Sequence, residues 1–224
     1  MKIEIWSDVV CPFCYIGKRK FESAMAQYSD KDQVEVTWKS FQLDPNTKFK
    51  EGNNIYKNLA ESKGWTEDYA KNVTKQVVEM AKEVGLEFDF DKAIPANTFN
   101  AHRLIHLAAV HKLQDLAKES LLKAYFVDGK NIEDLETLMN IGRRIGLLDE
   151  DVRSLFNSEA FTNDVENDIY EAQQVGARGV PFFVIDRKYA ISGAQPVDVF
   201  LKTLERAAAE SLRLNPTISE NSAD

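Results

Sequence analysis

Apolar and polar residues alternate near the start of the chain, which is the pattern of half-buried β-strands. Residues 2–6 alternate in this way, and residues 33–43 do the same through Val34, Val36 and Trp38. The stretch between these two segments instead repeats apolar residues three and four positions apart, as an amphipathic helix does. The chain therefore opens with a predicted strand, helix and strand.

Helical periodicity alone runs through the middle of the chain, after a turn at residues 44–46. Glycines at expected helix C-caps divide this block into several amphipathic helices. Strand character returns at residues 182–185 and 189–191, and a last helix is predicted from Pro196. A second group of strands thus follows the helical block.

This order of elements predicts an α/β protein with a thioredoxin-like fold, in which helices flank a mixed β-sheet and a large all-helical insertion interrupts the fold. We predict that the thioredoxin-like domain is discontinuous and comprises residues 1–45 and 158–212. The insertion spans residues 46–157, and residues 213–224 form a flexible acidic tail.

Charge and the start of the sequence narrow the possible functions. The 224 residues contain 28 Lys and Arg against 36 Asp and Glu, a net charge of −8 that disfavours nucleic-acid and anionic-membrane partners. Acidic residues near the start predict that no signal peptide is present, and no apolar run is long enough to cross a bilayer. We therefore expect a cytoplasmic protein, a monomer or a homodimer, without a membrane partner.

The two cysteines, Cys11 and Cys14, lie between the first predicted strand and the first predicted helix. A cysteine at the N-cap, followed by Pro12 at the first helical position, has its sulfur near free backbone N–H groups and the positive end of the helix dipole. Thiols so placed have pKa values of about 3.5–7.5. We therefore predict Cys11 as the attacking thiolate and Cys14, one turn later, as the protonated resolving thiol.

Two other interpretations of the cysteine pair are weaker. Two inert buried cysteines are one of them, although the strand-to-helix junction argues against chance spacing. A zinc site is the other, because His102 and His106 lie on one face of a predicted helix and complete a Cys₂His₂ set. The long stretch of chain between the two halves is unlike that of a zinc finger, so we predict no metal.

Four blocks of sequence together span most of the chain. They are WSDVVCPFCYIG at 6–17, NTFNAHRL at 97–104, GVPFF at 179–183 and SGAQ at 192–195. These blocks resemble the FrnE-like branch of the DsbA family of thiol-disulfide oxidoreductases; the second and fourth are the more specific to it. The same branch is similar to 2-hydroxychromene-2-carboxylate isomerase and kappa-class glutathione transferase.

The resemblance implies roles for residues whose spacing alone leaves them open. It implies that Cys11 and Cys14 are the redox pair and that Pro181 is a cis-proline beside them, although X–Pro bonds are cis only about 5–6% of the time. From the residues alone, Asn97 is a helix cap, and His102 and Arg103 are two residues of that helix. The resemblance instead implies a substrate groove with these members: Pro12, Phe13, Val180, Asn97, His102, Arg103 and Gln195.

Three functions fit these observations. The leading one is a cytoplasmic dithiol-disulfide oxidoreductase that acts on protein or small-molecule thiols and disulfides, with no tightly bound cofactor. The alternative is a glutathione-dependent isomerase or transferase of the 2-hydroxychromene-2-carboxylate isomerase or kappa type, in which glutathione is a co-substrate and Cys14 is not needed. The third is a non-catalytic binding module, against which the intact cysteine pair argues.

Overall fold

The computed structural model describes residues 1–214 and contains one mixed sheet of four strands, in the order β2-β1-β3-β4. The strands are β1 (Lys2–Ser7), β2 (Glu35–Ser40), β3 (Phe182–Ile185) and β4 (Tyr189–Ser192). Within the described residues the helices are α1 (Pro12–Gln27), α2 (Ile55–Lys63), α3 (Glu67–Lys82), α4 (Phe99–Val110), α5 (Gln114–Phe126), α6 (Leu135–Ile145), α7 (Asp149–Phe156), α8 (Thr162–Gln174) and α9 (Val197–Leu214). The prediction of an α/β, thioredoxin-like fold with a helical insertion is confirmed. Most of the predicted tail, from residue 215 onward, lies outside the described residues.

Strand pairing brings the two ends of the chain together. β1 runs parallel to β2 and antiparallel to β3, where Trp6 lies opposite Phe182. β3 and β4 form a hairpin whose turn residues Asp186 and Arg187 have φ values of 48° and 55°, as tight hairpin turns require. The end of β1 therefore lies beside Pro181, the residue that immediately precedes β3.

β2 is shorter than the strand predicted at residues 33–43. A short 3₁₀ turn occupies Lys31–Gln33, and the strand ends at Ser40. Beyond this point the Leu43 N–H donates to the Asp8 carboxylate over 2.8 Å instead of pairing with a strand. The Asp8 side chain thus holds the segment that follows the strand.

The alternation along the strands separates two faces of the sheet. On one face Phe183 packs against Phe21 of α1 and Phe200 of α9, with ring centres 5.6 Å and 4.7 Å apart. On the other face Trp6 donates from its indole N–H to the Asp168 carbonyl of α8 over 2.8 Å. Both faces are therefore covered, as a sheet in this class of fold requires.

The insertion shares its core with the sheet. One cluster of buried apolar residues extends from Ile3 of β1 to Leu155 of α7. Inside the insertion, Phe88 stacks on Phe126 with ring centres 4.6 Å apart. Because the apolar cluster is continuous, the helices of the insertion are positioned relative to β1 and α1.

Candidate active site

Cys11 and Cys14 lie where β1 passes into α1, as the sequence predicts. Cys11 is the N-cap of α1, with φ −92° and ψ 114°, and Pro12 occupies the first turn. Cys14 follows one turn later, and its N–H donates to the Cys11 carbonyl over 3.0 Å. Both cysteines are free and buried, with 4% and 1% of the residue exposed.

Backbone groups from the C-terminal half of the chain adjoin Cys11. The Cys11 thiol donates to the Val180 carbonyl over 3.5 Å, and the Val180–Pro181 peptide bond is cis. Gly17 lets α1 approach this segment, because a Cβ at that position would lie 2.9 Å from the Pro181 Cγ. The Pro181 carbonyl accepts from the Gly193 N–H over 2.8 Å, which fixes the segment to the end of β4.

A buried lysine of the insertion interacts with Cys14. Lys118 of α5 is fully buried, and its ammonium donates to the Ser7 carbonyl over 3.0 Å. The same ammonium lies 5.6 Å from the centre of the Trp38 ring. Burial lowers the pKa of Lys118 to about 8, although the cysteines and Asp8 attract its positive charge.

These surroundings shift the pKa values of the two thiols in opposite directions. The neighbouring Cys14 sulfur, together with burial, raises the pKa of the Cys11 thiol well above its ordinary value. Burial opposes ionisation of Cys14 as well, but the neighbouring Cys11 thiol, the Lys118 charge and the Ser7 hydroxyl lower the pKa of its thiol. These directions differ from those expected for a Cys11 thiolate at the N-cap, and the Cys11 sulfur makes no capping hydrogen bond. The roles of the two thiols therefore stay a prediction.

Asp8 connects the turn before the cysteines to the insertion. Its Oδ1 accepts from the Val9 N–H over 2.8 Å and lies 3.1 Å from the His102 Nε2. Its Oδ2 accepts from the Leu43 N–H over 2.8 Å. Burial lowers the pKa of His102 despite this carboxylate, so the ring is neutral at pH 7 and donates from Nε2. His102 thus acts on the redox turn through Asp8.

The other two insertion residues of the implied groove lie elsewhere. Asn97 donates to the Pro45 carbonyl over 2.9 Å and so fastens the loop after β2. The buried guanidinium of Arg103 donates to the carbonyls of Leu155 and Ala160 over 2.7 Å and 2.8 Å. Arg103 therefore closes the connection between α7 and α8, and the expectation that it shapes the groove is not met.

Of the remaining predicted groove residues, Pro12, Phe13 and Val180 adjoin Cys11, whereas Gln195 lies beyond β4. Pro12 and Phe13 follow it in the chain, and Phe13 is 38% exposed, which is unusual for a large aromatic residue beside a buried pair. Val180 reaches Cys11 through its carbonyl. Gln195 lies beyond β4, where its amide donates to the Ser192 carbonyl over 2.9 Å.

The two histidines of α4 do not join the cysteines. The His106 Nε2 lies 3.0 Å from the Asp168 Oδ2 and 3.1 Å from the Ser40 Oγ, whereas His102 binds Asp8. In the part of the chain that the structure describes, no three or more His, Cys, Asp and Glu side chains are arranged to hold a metal ion. The Cys₂His₂ set of the zinc alternative is therefore not formed.

Lys118 was not predicted from the sequence, although its position in α5 indicates a buried charge. Lys118 shares one face of α5 with Leu121, Leu122 and Tyr125, at the spacing of an amphipathic helix. Lysine is almost never fully buried unless it has partners. A lysine within an apolar stripe therefore indicates a buried charge whose partners have to be found.

The DSBA-like thioredoxin domain family matches residues 2–205. The chain belongs to this family. DsbA-like proteins are disulfide oxidoreductases, so the family supports oxidoreductase activity in general and agrees with the redox pair at the start of α1.

Individual proteins are similar to this chain over most of its length. The crystal structure of a probable DsbA oxidoreductase from Streptomyces coelicolor is 36% identical and has a TM-score of 0.88, covering 94% of this chain and 91% of that one. The Bacillus subtilis protein YwbO is 29% identical over 207 residues, which are 90% of this chain and 94% of YwbO. The cytosolic disulfide reductase DsbM from Pseudomonas aeruginosa, solved with glutathione, is 16% identical with a TM-score of 0.67, covering 93% of this chain and all (100%) of that one; this likeness shows the fold alone. No helix among residues 1–214 has the length and apolar character needed to span a membrane.

Proposed function

We propose that the protein is a cytoplasmic dithiol-disulfide oxidoreductase that acts on protein or small-molecule thiols and disulfides. The observation on which this proposal rests is the environment of the cysteine pair. Cys11 lies 3.5 Å from the Val180 carbonyl, and the Lys118 ammonium lowers the pKa of Cys14. The cytosolic disulfide reductase DsbM among the structural relatives supports the compartment.

We assign the first attack on a substrate disulfide to Cys11. It is the more exposed of the two cysteines, and its sulfur lies 3.5 Å from the Val180 carbonyl, in the segment that precedes β3. The pair loses its first proton more easily than its second, since a thiolate at one sulfur opposes ionisation of the other thiol and keeps the remaining proton on the pair. Transfer of that proton from Cys11 to Cys14 yields the Cys11 thiolate without an external base.

The reaction then has two exchange steps. The Cys11 thiolate attacks one sulfur of the substrate disulfide, forming a mixed disulfide and releasing the other substrate sulfur as a thiolate. Cys14 loses its proton, with the Lys118 charge stabilising the thiolate, and attacks the Cys11 sulfur. The second substrate thiolate leaves, and a Cys11–Cys14 disulfide remains. Two electrons pass to the substrate, whose two thiolates take up two protons; the reverse sequence oxidises a dithiol.

A glutathione-dependent isomerase or transferase is the second candidate, since the relative DsbM has been solved with glutathione. In that reaction glutathione supplies the thiol, and Cys14 has no step to perform. In the dithiol reaction glutathione is instead a co-substrate that reduces the Cys11–Cys14 disulfide again. The two candidates therefore differ in whether Cys14 is required.

The variant Cys14→Ser tests the proposal, because it removes the thiol that resolves the mixed disulfide. Incubated with a peptide disulfide, this variant is expected to accumulate a covalent Cys11–peptide adduct, measured by mass spectrometry of the unreduced protein. Cys11→Ser is the matched control and is expected to form none. Absence of the adduct in Cys14→Ser contradicts the proposal, and glutathione-dependent turnover that survives Cys14→Ala favours the second candidate.

A further inference from the structure

Ser7, the last residue of β1, has a buried hydroxyl group without a partner. The residue is 0% exposed, and among residues 1–214 its hydroxyl makes no hydrogen bond. Ser40 of β2 lies opposite Ser7 in the sheet and is buried too, but its hydroxyl lies 3.1 Å from the His106 Nε2. A buried hydroxyl without a hydrogen bond is destabilising, because it has lost its contacts with water and gained none in return. Stability of the fold therefore does not explain the hydroxyl of Ser7.

The backbone of Ser7 is held on two sides, so the hydroxyl has a fixed position. Ser7 is in register with Ser40 in the parallel pair of β1 and β2. Its carbonyl accepts from the Lys118 ammonium over 3.0 Å. The hydrogen bond of Lys118 thus goes to the backbone of Ser7, and the ammonium acts on Cys14 through its charge. The Ser7 hydroxyl remains available as a hydrogen-bond donor.

The group that the Ser7 hydroxyl influences is the Cys14 thiol, because it lowers the pKa of that thiol. A hydroxyl has this effect when it donates to the thiolate. A neutral thiol is a weak acceptor, whereas a thiolate accepts a stronger, charge-assisted hydrogen bond. Only 1% of Cys14 is exposed, so water contributes little to solvating a thiolate there. A donor inside the protein therefore matters more for Cys14 than it would for an exposed cysteine.

We propose that the Ser7 hydroxyl donates a hydrogen bond to the Cys14 thiolate that resolves the mixed disulfide. The inference rests on the proposed function, because only the dithiol reaction uses Cys14 as a nucleophile. The Cys14 thiol first releases its proton to solvent, and the Ser7 hydroxyl keeps its own proton throughout. The Cys14 sulfur then bonds to the Cys11 sulfur, and the bond between Cys11 and the substrate breaks with its electron pair on the substrate sulfur.

Ser7→Ala removes only the hydroxyl, and its effect on Cys14 can be measured directly. In a Cys11→Ala background Cys14 is the one remaining cysteine of the chain, so the NMR signal of a ¹³Cβ label on cysteine follows its ionisation alone. We expect Ser7→Ala to raise the pH midpoint of this titration by about 1 pH unit, which is about a tenfold loss of thiolate below the midpoint. An unchanged midpoint overturns the inference.

The pH profile of resolution provides a second measurement, made with the wild type and with the single variant Ser7→Ala. Reduced protein is mixed with excess peptide disulfide, and decay of the Cys11–peptide adduct is followed in acid-quenched samples by mass spectrometry. Below the midpoint Ser7→Ala should resolve the adduct about threefold more slowly, because less thiolate is present. Above the midpoint it should be about threefold faster, since a thiolate without this hydrogen bond is the stronger nucleophile. Equal slowing at every pH overturns the inference.

Ser40→Ala is the matched control, because it removes the hydroxyl of the residue opposite Ser7. Its hydroxyl has a partner in His106, so Ser40→Ala should unfold at a lower urea concentration and leave the Cys14 midpoint unchanged. Ser7→Ala should unfold at the same urea concentration as the wild type or a higher one, because the hydroxyl that it removes has no partner. Equal effects of the two variants on the Cys14 midpoint overturn the inference.

The trapping experiment with Cys14→Ser separates this inference from the proposed function. If Cys14→Ser accumulates no Cys11–peptide adduct, the proposed function fails, and the role of Ser7 in resolution fails with it. If the adduct forms, but Ser7→Ala changes neither the Cys14 midpoint nor the pH profile, only the inference about Ser7 is overturned.

Discussion

The two cysteines lie one helical turn apart but have different surroundings. Cys11 contacts backbone, namely the Val180 carbonyl at 3.5 Å, next to the Pro181 segment. Cys14 interacts with charge, because the Lys118 ammonium and the Ser7 hydroxyl both lower the pKa of its thiol. The backbone groups come from the segment before β3, whereas the ammonium comes from the helical insertion.

This difference shows how an insertion changes a redox centre without altering its motif. The segment beside Cys11 determines the shape of the approach to its sulfur. A buried cation beside Cys14 instead stabilises one protonation state of the pair, and a stabilised thiolate makes the reduced form more stable. Shape and electrostatics can therefore be changed separately in this molecule, whereas Asp8 holds the turn that precedes both cysteines.

Asp8→Ala should have the largest effect, because Asp8 interacts with the redox turn, the segment after β2 and α4. It leaves the N–H groups of Val9 and Leu43 and the ring of His102 without their buried acceptor. Each buried donor without a partner costs about 1–3 kcal/mol, so we expect the free energy of unfolding to fall by about 3–5 kcal/mol. Urea denaturation of the oxidised protein measures this, with the exposed Asp198→Ala as control. Similar losses in both variants would contradict the connecting role of Asp8.

Gly17→Ala should have an intermediate effect, restricted to the backbone surroundings of Cys11. The new Cβ would lie 2.9 Å from the Pro181 Cγ, and overpacking of this kind costs about 1–3 kcal/mol. Gly179→Ala is the matched control, because its Cβ meets no heavy atom within 4 Å. Thermal denaturation should therefore separate the two variants. Equal melting temperatures would show that the contact between α1 and the Pro181 segment is not close in solution.

Lys118→Met should have the smallest effect on stability and a selective effect on redox chemistry. Methionine fills a similar volume, so the cost to folding is expected to be the hydrogen bond that the Ser7 carbonyl loses, about 1 kcal/mol. The reduced form loses its cation, so the reduction potential should fall by about 30 mV, which corresponds to about 1.4 kcal/mol. Equilibrium titration in glutathione buffers measures the change. Lys123→Met, at an exposed position on the same helix, is the control; a shift equal in both variants would contradict the assignment.

The redox turn was predictable from the sequence because the patterns that define it involve only neighbouring residues. Strand alternation, an N-cap and a proline in the first helical turn all lie within residues 2–14, and the structure has each of them. The charge near Cys14 was not predictable in the same way, because Lys118 reaches it only through the packing of α5. Likewise, the resemblance indicated Arg103 as important, but its position in the chain does not reveal that it binds the carbonyls between α7 and α8.

The position of β1 in the sheet has a consequence for the chain during synthesis. β1 lies between β2 and β3, and its partner β3 is made only after the whole insertion. A chain emerging from the ribosome therefore presents both cysteines long before the Val180 carbonyl and Lys118 are assembled around them. During that interval the pair consists of two ordinary thiols. Its selectivity and its altered acidity belong only to the finished fold, which is complete once residues 182–185 have joined the sheet.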